Sequence, residues 1–127
     1  MITALYAGLL GLLAIVLGAK AGGLRGKLDI SIGDGGNKEL LLAMRRHANF
    51  AEWVPIALIL IVLMEMRGVD TRWVHGLGAG LVVARVCHAL GLKADSMKSY
   101  LRLVGAGGTA LIIAIASVWS IFSYFQI

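Results

Sequence analysis

Arg45, Asn49 and Glu52 follow one another at intervals of four and three residues, and Arg85 and His88 repeat the interval of three later in the chain. In an α-helix such spacings bring side chains onto one face. The first group offers a cation, an amide and a carboxylate; the second offers a cation and an imidazole. Both groups sit in or beside apolar stretches, where charge is costly and marks either a functional site or a structural pair. His47 belongs to neither, because it projects about 160° around the helix from Asn49 at 3.6 residues per turn.

Depth suggests how the two groups meet. Glu52 lies seven residues beyond Arg45, about 10 Å further along its helix at 1.5 Å per residue. Arg85 lies seven residues before Leu92, on a helix that runs the opposite way, so it reaches a similar level. A Glu52–Arg85 ion pair is therefore expected as the simplest structural account of both residues. That pair would leave Arg45, Asn49, His88 and Arg102 unexplained. Each alone fits a snorkelling or capping role. Together they direct cations, an amide and a carboxylate toward one pocket.

The elements that must position these residues follow from composition. Of 127 residues, 59% are hydrophobic and 15% charged, against about 25% charged in an average soluble domain. Such a chain has too little polar surface for water, and helices that cross a bilayer satisfy their own backbone groups. Four apolar segments are expected as helices at about 2–22, 37–67, 71–92 and 100–125. Residues Ile2 to Ala19 carry no charge. Ala19-Lys20-Ala21 resembles a signal-peptide cleavage site, yet no basic residue precedes the apolar run, so a retained first helix is expected. A polar connection from Lys20 to Lys38 follows, with Gly22, Gly23 and Gly26 and the turn-forming Gly33-Asp34-Gly35-Gly36. Pro55 falls inside the second helix, which membrane helices tolerate.

The formal charge is +5 and the isoelectric point about 9.8, but the basic residues lie in the connections and form no stripe with interleaved aromatics, which excludes a nucleic-acid partner. Nine Lys and Arg fall on one side: Lys20, Arg25, Lys27, Lys38, Arg45, Arg46, Lys93, Lys98 and Arg102, against Arg67 and Arg72 on the other. By the positive-inside rule both long connections are cytoplasmic and both termini outside. Cys87 is the sole cysteine, and with only His88 beside it no metal site is expected. Gly76, Gly80 and Ala84 recur every four residues in line with His88, a small-residue stripe that allows close helix approach. No phosphate-binding glycine loop or catalytic triad is present.

The run Arg45-x-His47-x-Asn49-x-x-Glu52-x-x-Pro55 resembles the signature of the MAPEG family, the membrane-associated proteins in eicosanoid and glutathione metabolism. Ala84-Arg85-x-x-His88 and Arg102 match a second region of that family. The likeness spans essentially the whole chain, as a single domain over 1–127, and is nearest to a small bacterial inner-membrane branch. It implies an all-α membrane protein, a four-transmembrane-helix bundle assembled as a homotrimer, with glutathione bound between subunits. Arg45, Asn49, Glu52, Arg85 and His88 would bind it or support the site, with Trp53 bordering it and Arg25 a further candidate. Guanidinium groups can bind the two glutathione carboxylates through paired hydrogen bonds, and Glu52 can meet its ammonium. Arg102 would hold the thiol as thiolate.

The activity implied is a glutathione-dependent transferase or peroxidase acting on a lipophilic electrophile, with no metal. Two positions depart from catalytically competent relatives. Leu92 stands where several carry Tyr, and Leu103 stands where the prostaglandin synthase has Ser. Prostaglandin synthesis is therefore not expected. A non-catalytic member that binds a lipid or an amphipathic ligand is the alternative. A small transporter fits less well, because the polar cluster lies to one side of the bilayer and not at its middle.

Overall fold

The computed structural model describes residues 1–125. Four helices account for most of them: α1 (Thr3–Leu28), α2 (Lys38–Met66), α3 (Thr71–Gly91) and α4 (Tyr100–Tyr124). All four are long and apolar enough to cross a membrane. The α1–α2 and α3–α4 connections share one end, where Lys38 lies 3.5 Å from Asp95. At the other end the N-terminus meets α2 through Glu65, and Arg67 donates to the Ser123 carbonyl of α4 at 2.5 Å. These are called the loop end and the terminal end below.

Local chemistry sets most boundaries. Asn37, Asp70 and Ser99 each accept a hydrogen bond from a backbone N–H in the first turn of α2, α3 and α4, satisfying donors that a helix start leaves free. Helix α1 has no such residue of its own. Glu65, from α2, serves instead: its carboxylate accepts from the N–H groups of Ile2 and Thr3 and from the Thr3 hydroxyl, the last at 2.6 Å. Between α2 and α3, Gly68 takes φ +77°, a conformation glycine adopts without penalty.

Helix α1 runs to Leu28 and not to the expected end near residue 22. The Lys20–Lys38 connection is correspondingly shorter, because Gly22, Gly23 and Gly26 lie inside the helix. Glycine in a helix interior costs about 1 kcal/mol relative to alanine. Packing and electrostatics offset this: Ala21 is buried against the bundle, and Arg25 and Lys27 lie in the last turn, where cations favour the helix dipole. The turn expected at Gly33–Gly36 is present, with Gly33, Gly35 and Gly36 all at positive φ.

The core is a ladder of aliphatic side chains, including Leu10, Val54, Ala57, Ile61, Leu81 and Ala116. Helix α3 packs most extensively on α4, and α1 on α2; α2 also touches α3 and α4, whereas α1 and α4 do not meet. The α3–α4 seam is the tightest. A Cβ at Gly105 would fall 2.4 Å from the His88 nitrogen and 2.6 Å from the Ala84 carbonyl oxygen; at Gly91 it would fall 2.2 Å from the Arg102 nitrogen. The small-residue stripe takes part unevenly: Gly80 and Ala84 face α4, while Gly76 meets open space. Large apolar side chains such as Leu12, Ile15, Leu111 and Ile121 remain exposed, as expected of faces presented to hydrocarbon or to another copy.

Candidate functional site

Arg85 anchors the polar cluster. It is 2% exposed, and its guanidinium donates to Asn49 Oδ1 at 2.8 Å and contacts the Thr109 hydroxyl at 3.5 Å. It also sits over the Phe50 ring, 5.8 Å from the centroid. No carboxylate pairs with it among the described residues, and its Nε has no partner. His88, also buried, places Nδ1 3.4 Å from the same guanidinium. A guanidinium can only donate, so Nδ1 faces it as acceptor and the imidazole proton belongs on Nε2.

The expected Glu52–Arg85 pair is not formed. The Glu52 carboxylate lies 3.7 Å from Arg45, and both side chains are about half exposed. Depth alone puts Arg85 within one turn of its partner, but helical phase decides which residue it meets. Residues 45, 49 and 52 spread over about 60° of the α2 surface at 100° per residue, and only the Asn49 edge reaches α3. An exposed pair such as Arg45–Glu52 contributes little stability, which leaves both groups free to serve a ligand.

Above Arg85, toward the loop end, opens a cavity of about 390 Å³ lined by Arg45, Asn49, His88 and Arg102, with Leu92 forming part of its apolar wall. Lys38 and Lys93 add cations at its margin, against one carboxylate, Asp95. This volume lies within the range of about 300–1,000 Å³ typical of small-molecule sites. Arg102 stands in the first turn of α4, its backbone N–H bonded to Ser99 Oγ. Its guanidinium contacts Met97 Sδ at 2.9 Å and has no acidic partner among the described residues. A second cleft of about 350 Å³ opens between α2 and α4, is lined by Arg85 and Thr109, and shares Asn49 with the first; Trp53, 41% exposed, forms its rim.

Of the eight residues singled out in the sequence, the structure thus gathers Arg45, Asn49, His88 and Arg102 around one cavity, and Arg85, bonded to Asn49 and beside His88, lines the adjoining cleft with Trp53. Glu52 is on the outer surface of α2 beside Arg45. Arg25 is elsewhere: it donates to the carbonyls of Ile30, Ser31 and Gly33 and so holds the α1–α2 connection. His47 packs toward Gly18 of α1, away from the cluster as its phase predicts. Sequence reasoning missed Thr109 and Gly105. The interval Arg102–Gly105–Thr109 places all three on one face of α4, a signal that would have identified the wall opposite α3.

This arrangement, an arginine-lined cavity at one end of a four-helix membrane bundle, agrees with the comparison to known sequences: the MAPEG family model matches residues 3–122. The chain belongs to the MAPEG family. Among curated MAPEG relatives, the inner membrane protein YecN of Escherichia coli K12 is 41% identical over 91 residues, covering 72% of this chain and 70% of its own length. YecN of E. coli O6:H1 strain CFT073 matches to the same extent. No solved structure matches the chain.

Proposed function

We propose that this MAPEG protein is a glutathione-dependent membrane transferase or peroxidase acting on a lipophilic electrophile. The observation that carries the reading is the cavity itself. Four cationic side chains line a space of small-molecule size, and the buried, carboxylate-free Arg85 lies behind its Asn49 and His88 wall, an environment suited to a ligand with more than one anionic group. In this reading Arg45 and the Lys38–Lys93 margin receive the glutathione carboxylates. Asn49 and the Nε2–H of His88 supply neutral hydrogen bonds, and Glu52 meets the ammonium. Trp53 borders the adjoining cleft, where an apolar electrophile can enter from the lipid. Arg25 serves the connection.

Arg102 then acts on sulfur. A cation beside the thiol favours the thiolate, which is the nucleophile. The thiolate attacks the electrophilic carbon; a carbon–sulfur bond forms and the leaving group departs with the electron pair. With a hydroperoxide, the thiolate instead takes the distal oxygen as sulfenic acid and releases an alcohol, and a second glutathione gives the disulfide and water. The protein is proposed to work as a homotrimer in the bacterial inner membrane, as the name of its E. coli relative suggests, with the loop end in the cytoplasm. Adding glutathione to wild-type protein should produce thiolate absorbance in the ultraviolet, and Arg102→Ala should lose that signal while keeping its oligomeric state. An Arg102→Ala variant that still forms thiolate removes Arg102 from this role.

One observation favours a second reading. Leu92 presents a purely apolar side chain to the cavity, where several competent relatives carry a hydroxyl. A non-catalytic member that holds a lipid or an amphipathic ligand fits this wall, and would show co-purified lipid with no dependence on thiol.

A further inference from the structure

A second, separate groove lies on the outer surface at the junction of α1, α2 and α3. Leu13, Val16 and Leu17 of α1 form one wall and Val86, Ala89 and Leu90 of α3 the other, enclosing about 170 Å³. It shares no lining residue with the cavity of the candidate site. Almost all of its surface is apolar, yet two cations, Lys20 and Arg46, stand at its loop end. Neither has an acidic partner among the described residues. Arg46 is fixed in place by donating to the Leu92 carbonyl at 2.7 Å, and its Nε is buried without a partner.

The depth of these cations matters. Helix α1 has 26 residues, about 39 Å at 1.5 Å per residue, which exceeds a hydrocarbon core of about 30 Å. The uncharged stretch ends at Ala19, so Lys20 marks the level where hydrocarbon gives way to headgroups. Arg46 stands about two turns into α2 from the same end. An apolar groove below and two unpaired cations at headgroup level complement one kind of molecule: an acyl chain attached to a phosphate. Basic pockets between membrane helices recognise anionic headgroups in this way. We infer that the α1–α3 groove is a binding site for an anionic phospholipid, with one acyl chain along Leu13, Val16 and Leu17 and the phosphate between Lys20 and Arg46.

The test uses the full-length protein in neutral detergent, titrated with phosphatidylglycerol or phosphatidylcholine and read by native mass spectrometry and thermal unfolding. Phosphatidylglycerol should bind and raise the unfolding temperature; phosphatidylcholine should do so far less. Lys20→Gln should weaken phosphatidylglycerol binding about fivefold, the effect of one basic residue at a membrane surface. Lys98→Gln, an equal change of charge on the exposed α3–α4 connection, should leave it intact. Arg46→Gln is informative only beside the Lys20 variant, since it also releases the Leu92 carbonyl. Equal binding of the two lipids, or an unaffected Lys20→Gln protein, overturns the site. So does equal stabilisation by inorganic phosphate, which would make it a free-anion site. Disulfide-linked dimers of a Val16→Cys variant that form whether or not lipid is present would assign the groove to a second copy and overturn it equally.

Discussion

Arg85 is the residue on which the site turns, and its situation sets function against stability. A buried charge with no opposite charge is costly to the fold, and among the described residues this guanidinium has the Asn49 amide, Thr109, His88 and the Phe50 ring for company. Replacing it with an apolar residue of similar length should therefore relieve the fold while removing what attracts an anion. Arg85→Met is expected to unfold at the same temperature as wild type or higher, and to lose most of its glutathione affinity. A clear fall in unfolding temperature would show that the hydrogen bonds of Arg85 outweigh its desolvation. Asn49→Leu should behave differently, because it strips Arg85 of its shortest hydrogen bond and leaves the charge buried. A loss of about 1–3 kcal/mol is expected, measured by denaturation in detergent.

At the scale of the helix, the α3–α4 seam positions both His88 and Arg102. Gly105 and Gly91 permit backbone to lie directly on backbone there. Gly105→Ala must push α4 away from α3, at about 1–3 kcal/mol of overpacking, and should weaken ligand binding by shifting Arg102 relative to His88. Gly107, two residues on, has open space around its position; Gly107→Ala should be neutral or slightly stabilising, since it only removes helix-interior glycine. Equal effects from the two substitutions would mean that the seam is not the positioning device. The start of α3 offers an acid-dependent check outside the membrane segments. Hydrogen bonds from Arg72 hold the Asp70 carboxyl below its usual value of 3.8. A depressed carboxylate pKa stabilises the fold above the unfolded value and ceases to do so as pH falls through the folded one. Stability should thus decline below about pH 3.8, and Asp70→Asn should remove that part of the decline.

These elements also show what the sequence could and could not disclose. The starts of α2, α3 and α4 were legible because Asn37, Asp70 and Ser99 are capping residues at the edges of apolar runs. The end of α1 was not, because three glycines read locally as a break, and the burial of Ala21 with the last-turn cations Arg25 and Lys27 carries the helix past them. The same limit explains the partner of Arg85. Spacing gave its depth to within a turn, but the choice between Asn49 and Glu52 depends on the rotation of α2 about its axis. That rotation is set by the packing of Phe50, Val54 and Ala57 in the core. Glu65 was overlooked as a cap because it comes from a distant part of the chain.

Across the whole molecule, the polar chemistry divides by end. The terminal end carries closed structural contacts, with Glu65 satisfied by the first residues of α1 and Tyr6 bonded to His75 at 2.7 Å. The loop end carries cations in excess and the arginine-lined cavity beside the buried Arg85–His88 cluster. If that end faces the cytoplasm, a single cysteine introduced at Ser96 in a Cys87→Ala background should react with an impermeant thiol reagent only after cells are opened. Labelling in intact cells would invert the topology. The central claim is that this cavity holds glutathione, and calorimetric titration of glutathione into the purified protein tests it most directly. Saturable heat is expected in wild type and its loss in an Arg45→Ala, Arg102→Ala double variant that remains folded. Absence of binding by the wild-type protein at millimolar glutathione, or undiminished binding by the double variant, would contradict it.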